Sequence, residues 1–129
     1  MGFELRWIYK IIPVPVFYRR IVRPGIGGVT RFFFIVIQPD LRNKGKILEH
    51  ELIHCKQFYR TFGLSILLKN LSHKYRYISE LEAYGEQVRL GGLTAKEAAE
   101  SIVSLYRIPD LTVEKVIGDL RSSVFRIMN

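Results

Sequence analysis

The chain has a single cysteine, Cys55, among its 129 residues. With no second thiol it forms no internal disulfide, so nothing in the fold requires an oxidising compartment. Histidine is almost as scarce, with three residues in all. No apolar run approaches the roughly 18 residues a membrane-spanning helix needs. Arg31 splits the best candidate and Lys69 ends another. The opening MGFELRWIYKIIPVPVFYRR lacks the basic, apolar and small-residue blocks of a secretory signal, because Glu4, two prolines and an arginine pair interrupt it. A soluble, cytoplasmic protein is the expectation. Dense Lys/Arg runs, internal repeats and low-complexity segments are absent too.

What is present fits a folded domain. Apolar residues make up 48% and charged residues 25%, a balance that excludes disorder over the whole chain. The length suits one core. The expected organisation is a single domain over 1–129, with an N-terminal arm of about 1–27, a core of about 28–90 and a C-terminal helical part of about 93–126. Net charge is +8 and unevenly spread. Residues 1–76 hold 14 Lys/Arg against 4 Asp/Glu, whereas residues 77–129 hold 6 against 8. A basic half suits an anionic partner, such as nucleic acid or a membrane surface; the plainer alternative is a solvated basic face.

Pro13, Pro15 and Pro24-Gly25 break the N-terminal region into short extended pieces. Gly27-Gly28 then leads into VTRFFFIVIQP, a β-branched and aromatic run stopped by Pro39-Asp40, which is the strongest strand signal in the chain. From Lys46 to Phe62 the pattern turns helical: Leu48, Leu52, Cys55, Tyr59 and Phe62 recur at spacings of four and three. Gly63 is the expected stop. LSILLKNL reads as a further helix or as a turn over the core. Leu81, Gly85 and Val88 mark a helix over 79–90. Thr94 with Glu97 makes a capping-box pattern for a helix of about 95–106, and Thr112 opens another to about Phe125. Strands followed by helices predict an α+β fold.

The stretch that carries chemistry is ILEHELIHCKQ, residues 47–57, where His50 and His54 stand four apart with Glu51 directly after the first. On a helix, residues four apart lie one turn above each other, so both imidazoles can aim at one ion. Glu51 lies about 100° round the helix, near that ion but not bound to it. The arrangement suits metal-assisted hydrolysis, in which the metal polarises a water and the carboxylate takes its proton as general base. The bland alternative is a surface helix whose histidines do nothing and whose glutamate serves a helix ion pair. A third ligand is not given by this motif. On a helix Glu80 and Glu82 sit about 200° apart, so only one of them can face the ion, and His73 is a further candidate because imidazole binds zinc well. Ser79 with Glu82 also fits a capping box, which would give Glu82 a purely structural job.

A strand, a short polar loop and an HExxH helix resemble the zincin metallopeptidases. The metzincin branch would want Gly at position 57 and His at position 60, and this chain has Gln57 and Arg60. The similarity is therefore to the gluzincins in their smallest single-domain form, over about residues 28–90. That resemblance implies one Zn2+ per chain, held by His50, His54 and a glutamate on a later helix followed by a small residue. It reads onto SELEAYGEQ, where Glu82 precedes Ala83. It also implies a peptide or protein substrate, laid along an edge strand near 29–37 by backbone pairing.

Amide hydrolysis further requires a donor for the developing oxyanion. Tyr75, Arg76, Tyr77, Tyr84 and His73 are near the expected ligand in sequence, although tyrosines in such numbers usually pack. The proline-rich N-terminal arm is a candidate latency segment over the cleft. A different reading makes the chain a non-catalytic module, with the helices near 95–106 and 112–125 as a helix-turn-helix on nucleic acid. Those helices carry Lys96, Arg107, Lys115 and Arg121 against Glu97, Glu100, Glu114 and Asp119, a balance better suited to a packed cap than to a phosphate-binding surface.

Overall fold

The computed structural model describes residues 2–21, 27–31 and 33–128, with backbone alone from 123 onward. Pro24, Gly25 and Phe32, which the sequence singles out, lie outside the described residues. Among those described, four strands form one mixed sheet and five α-helices follow, so the fold is α+β. The strands are β1 (Gly2–Ile8), β2 (Ile12–Tyr18), β3 (Gly28–Arg31) and β4 (Phe34–Ile37). The helices are α1 (Ile47–Arg60), α2 (Leu64–Leu71), α3 (His73–Arg89), α4 (Ala95–Leu105) and α5 (Val113–Met128).

The N-terminal region is no loose arm. β1 and β2 pair antiparallel from Gly2↔Tyr18 to Ile8↔Ile12, and β2 then runs parallel to β4, giving the order β1-β2-β4-β3. Val14, Val16 and Tyr18 alternate inward along β2 and are buried, as period-two patterning requires. Pro13 and Pro15 are tolerated because pairing with β4 begins only at Val16, so that flank of β2 has no ladder there to interrupt. The run expected as one strand over 29–37 is two. β3 turns back onto β4 with Arg31 opposite Phe34, which leaves β3 at the sheet edge and β4 inside.

Two apolar clusters hold the molecule. Ile8, Val14, Val16, Tyr18, Ile35 and Ile37 from the sheet meet Leu48 and Cys55 of α1. Tyr84 of α3 meets Ala98, Ala99 and Ile102 of α4 and Val116 and Leu120 of α5. The functional stretch lies where α1 of the first cluster crosses α3 of the second. Two boundaries differ from expectation. α3 begins at His73, not near Ser79, because Ser72 caps it by accepting the Tyr75 N–H at 3.1 Å. Phe62 leaves the apolar stripe of α1 entirely: the helix ends at Arg60, and Phe62 is 96% exposed.

Candidate metal centre

α1 is buried on two sides at once. Leu48 and Cys55 face the sheet, while His50, Glu51, His54 and Gln57 are buried on the other side. α3 crosses this polar side and presents Ser79, Glu80, Ala83, Tyr84 and Gln87, a three- and four-residue spacing that makes one face. Ala83 is fully buried there, and its single methyl lets the two helices approach closely.

Three side chains converge where the helices meet. The Nε2 atoms of His50 and His54 are 3.2 Å apart. Glu80 Oε1 lies 2.9 Å from His54 Nε2, and Glu80 Oε2 lies 3.5 Å from His50 Nε2. All three residues are buried, and one donor atom from each fits within a 4.8 Å span.

His50 Nδ1 is 2.7 Å from Gln87 Oε1, and the Gln87 amide is oriented by Nε2 donating to Gly45 O at 2.7 Å. His54 Nδ1 is 2.9 Å from Gln57 Oε1. That amide is pinned as well: its Nε2 donates to Ser79 O and to Glu82 Oε1, and its Oε1 accepts from Ser79 Oγ at 2.6 Å. In the tautomer where each glutamine takes a proton from Nδ1, both Nε2 atoms would accept, aimed at each other and at a carboxylate. Lys69 Nζ, 3.0 Å from His54 Nδ1, competes with Gln57 for that nitrogen. With both protons on Nδ1, the three converging atoms suit a cation, as a metal ion or as a proton on one imidazole.

Without a metal, the charge balance is that of a buried histidine–carboxylate pair. Burial acts to lower the His50 pKa, but its bond to Glu80 and the nearby Glu51 charge outweigh that, and the net shift is upward. Burial acts to raise Glu80, yet the two histidines hold its carboxyl well below the usual range. Glu80 Oε2 is, among the described residues, the one buried side-chain oxygen or nitrogen with no hydrogen bond. A metal ion among two imidazoles and a carboxylate satisfies that oxygen together with both Nε2 atoms, and the set is one used by zinc and by other first-row ions.

Glu82, the third ligand implied by the gluzincin resemblance, is placed elsewhere. Residues two apart on a helix point to nearly opposite sides, so while Glu80 faces α1, Glu82 meets Arg60 at 2.9 and 3.3 Å and Gln57 at 2.7 Å. It reaches the site only through Gln57, as the anchor of the amide that orients His54. Ser79 and Glu82 form no capping box, since both lie well inside α3. His73 is an exposed residue at the first turn of α3.

A cleft of about 450 Å³ opens beside the group. Its lining includes Gly28 and Thr30 of β3, Glu51, Lys69 of α2, Tyr84 of α3 and Tyr106 just beyond α4. Glu51 stands next to the converging atoms, with Oε2 3.8 Å from His50 Nε2. Thr30 Oγ1 donates towards both Glu51 Oε1, at 2.9 Å, and Glu51 O, at 3.0 Å. Gly28 makes this closeness of strand and helix workable, because a Cβ there would lie 3.2 Å from Glu51 Cγ and 3.0 Å from Ile47 Cγ2. Of the tyrosines and basic residues near the expected ligand, Tyr84 alone lines the cleft, its ring edge-to-face with His50 at 4.4 Å. Tyr77 is tied to Asp119 and Arg76 lies over the Tyr106 ring. Among the described residues, the lining includes none of β1 or β2.

Gln57, Gln87, Thr30, Lys69 and Tyr106 carry no sequence motif that marks them; only the crossing of α1, α3 and β3 brings them to the site. No protein-family model matches the chain, and neither does a curated protein or a solved structure.

Proposed function

We propose that the chain is a zinc-dependent peptidase, with the metal on His50, His54 and Glu80 and with Glu51 as general base. The observation that supports this most strongly is the convergence of both Nε2 atoms on the Glu80 carboxylate, one oxygen of which has no hydrogen bond, with a second carboxylate held just outside the group at the wall of an open cleft. Zinc bound there supplies Lewis acidity, which polarises a scissile carbonyl and makes a water acidic at neutral pH.

The chain's own residues do the rest. Thr30 holds Glu51 Oε1 and leaves Oε2 for the attacking water, whose proton Glu51 takes and then passes to the departing amine nitrogen. β3 ends the sheet, and its residues from Gly28 to Thr30, with Gly27 before them, line the cleft. An extended peptide adds to that edge through backbone hydrogen bonds, which brings one of its carbonyls over the metal site. Tyr84 and Tyr106 form the facing wall, and Lys69 lines the cleft beside them as a hydrogen-bond donor.

The decisive experiment compares wild type with Glu51→Gln on a peptide library read by mass spectrometry, with metal content measured on both. Wild type is expected to cleave peptides; the variant is expected to bind metal equally and to lose at least about a hundredfold in rate. Full activity in Glu51→Gln would sink the mechanism, and a wild type that loads zinc but cleaves no peptide would remove the peptidase assignment.

A further inference from the structure

Helix α2 is inside out. Its one buried side chain is Ser65, and half-buried Lys69, one turn on, lines the cleft. The apolar residues lie on the opposite side: Leu64, Leu67, Leu68 and Leu71 follow the spacing of a single helical stripe, and between 37% and 75% of each is exposed. Phe62, just before the helix, is held at φ 53° with its ring in solvent, a backbone conformation that a bulky residue rarely takes. Apolar surface gathered in this way, on a helix whose polar residues face the protein, marks an interaction face.

Charge decides what covers it. Between Glu51 and Glu80 the chain has no Asp or Glu; Lys69 faces the cleft, Arg60 pairs with Glu82 and Arg76 lies over the Tyr106 ring, which leaves Lys56 on α1 and Lys74 on α3 as the cations beside α2. Two copies of such a face repel each other, which disfavours a homodimer through it. The β1–β2 tip joins the same region. The Tyr9 ring lies 5.9 Å from Lys56 Nζ and acts electrostatically on Arg60, and Trp7, Tyr9 and Ile11 are all about half exposed or more. Leucines and phenylalanine beside cations, with tryptophan and tyrosine at the border, match the headgroup layer of a negatively charged bilayer. No described helix is long and apolar enough to cross a membrane, so α2 would lie in the plane of the surface.

We infer that the α2 face, with Phe62 and the β1–β2 tip, docks the protein on an anionic lipid membrane. This goes beyond the hydrolytic reading and does not depend on it, since neither metal nor Glu51 takes part in the contact.

The test is flotation of the full-length chain with vesicles of mixed phosphatidylglycerol and phosphatidylcholine, and with vesicles of phosphatidylcholine alone. Wild type is expected to float with the anionic vesicles only, less so as salt rises. Leu67→Ser combined with Leu71→Ser is expected to lower that binding about tenfold or more. Phe62→Asn separates docking from folding, because Asn suits the left-handed backbone at position 62: its melting temperature should hold or rise while vesicle binding falls severalfold. Absence of flotation with anionic vesicles would overturn the inference. So would equal binding by wild type and the leucine variant, or a dimer in sedimentation velocity that the leucine variant abolishes without any vesicle binding.

Discussion

Glu80 and Glu82 are two residues apart, yet one completes a cluster of metal-binding atoms and the other braces it from behind. His50, Glu51 and His54 are legible in the sequence because all three sit on one helix, where a spacing of four fixes geometry by itself. Choosing between the glutamates needs the face of α3 that meets α1, and that depends on Ala83, Tyr84 and Gln87 packing as a set. The gluzincin pattern picks Glu82 because the small residue Ala83 follows it, but the carboxylate three residues before Ala83 is the buried one. Glu80→Gln is therefore expected to bring metal content close to zero, because it replaces a buried anionic ligand with a neutral amide. Glu82→Gln should keep near-full occupancy and weaken affinity by about tenfold at most, through a looser Gln57. Elemental analysis and a competing chelator read both quantities. Equal loss in the two variants would contradict the division of labour between them.

At the scale of elements, patterns with local causes are read well and patterns with distant causes are not. α4 begins where its Thr94–Glu97 capping box predicts, with both reciprocal bonds formed. The strand expected over 29–37 splits into β3 and β4, because a continuous run of apolar and aromatic residues has no alternation to mark where the chain reverses. α1 and α3 are coupled by a contact no pattern reveals: a Cβ on Gly92 would sit 2.3 Å from Gly45 O, the same carbonyl that orients Gln87. Gly92→Ala must displace that loop. It should destabilise the protein by about 1–3 kcal/mol and weaken metal binding, although it lies outside the ligand set. Calorimetry with and without metal distinguishes this from simple loss of stability. A second tie, Tyr77 Oη donating to Asp119 Oδ2 at 2.5 Å, joins α3 to α5, and this bond, more than the neighbouring Lys115, lowers the Asp119 pKa. A lowered carboxyl contributes stability that is complete above its ordinary value of 3.8 and is lost as pH falls through the folded value. Tyr77→Phe should thus cost about 1 kcal/mol at neutral pH, with the difference from wild type shrinking in acid melts.

At the scale of the whole molecule, the metal ligands straddle the two apolar clusters. His50 and His54 belong to α1, packed on the sheet, and Glu80 belongs to α3, packed on α4 and α5. An ion bound among them is a cross-link between those two bodies of contacts, and it binds only when both are in place. Without it, the buried Glu80 carboxylate keeps an oxygen with no hydrogen bond. Metal binding at this candidate site would therefore be linked to folding of the whole described structure, and not merely to the geometry of α1. At free metal about a hundredfold above Kd, linkage adds about 2.7 kcal/mol, roughly 10 °C in Tm for a chain of this size. The rise should appear with Zn2+ in a single sharpened transition and vanish with a chelator. It should also be absent in Glu80→Gln, whose metal-free Tm is expected below that of the metal-free wild type, because the amide loses the charge that the two histidines stabilise. A Tm that ignores zinc in the wild type would show that the converging side chains hold no metal, and the hydrolytic reading would fall with them.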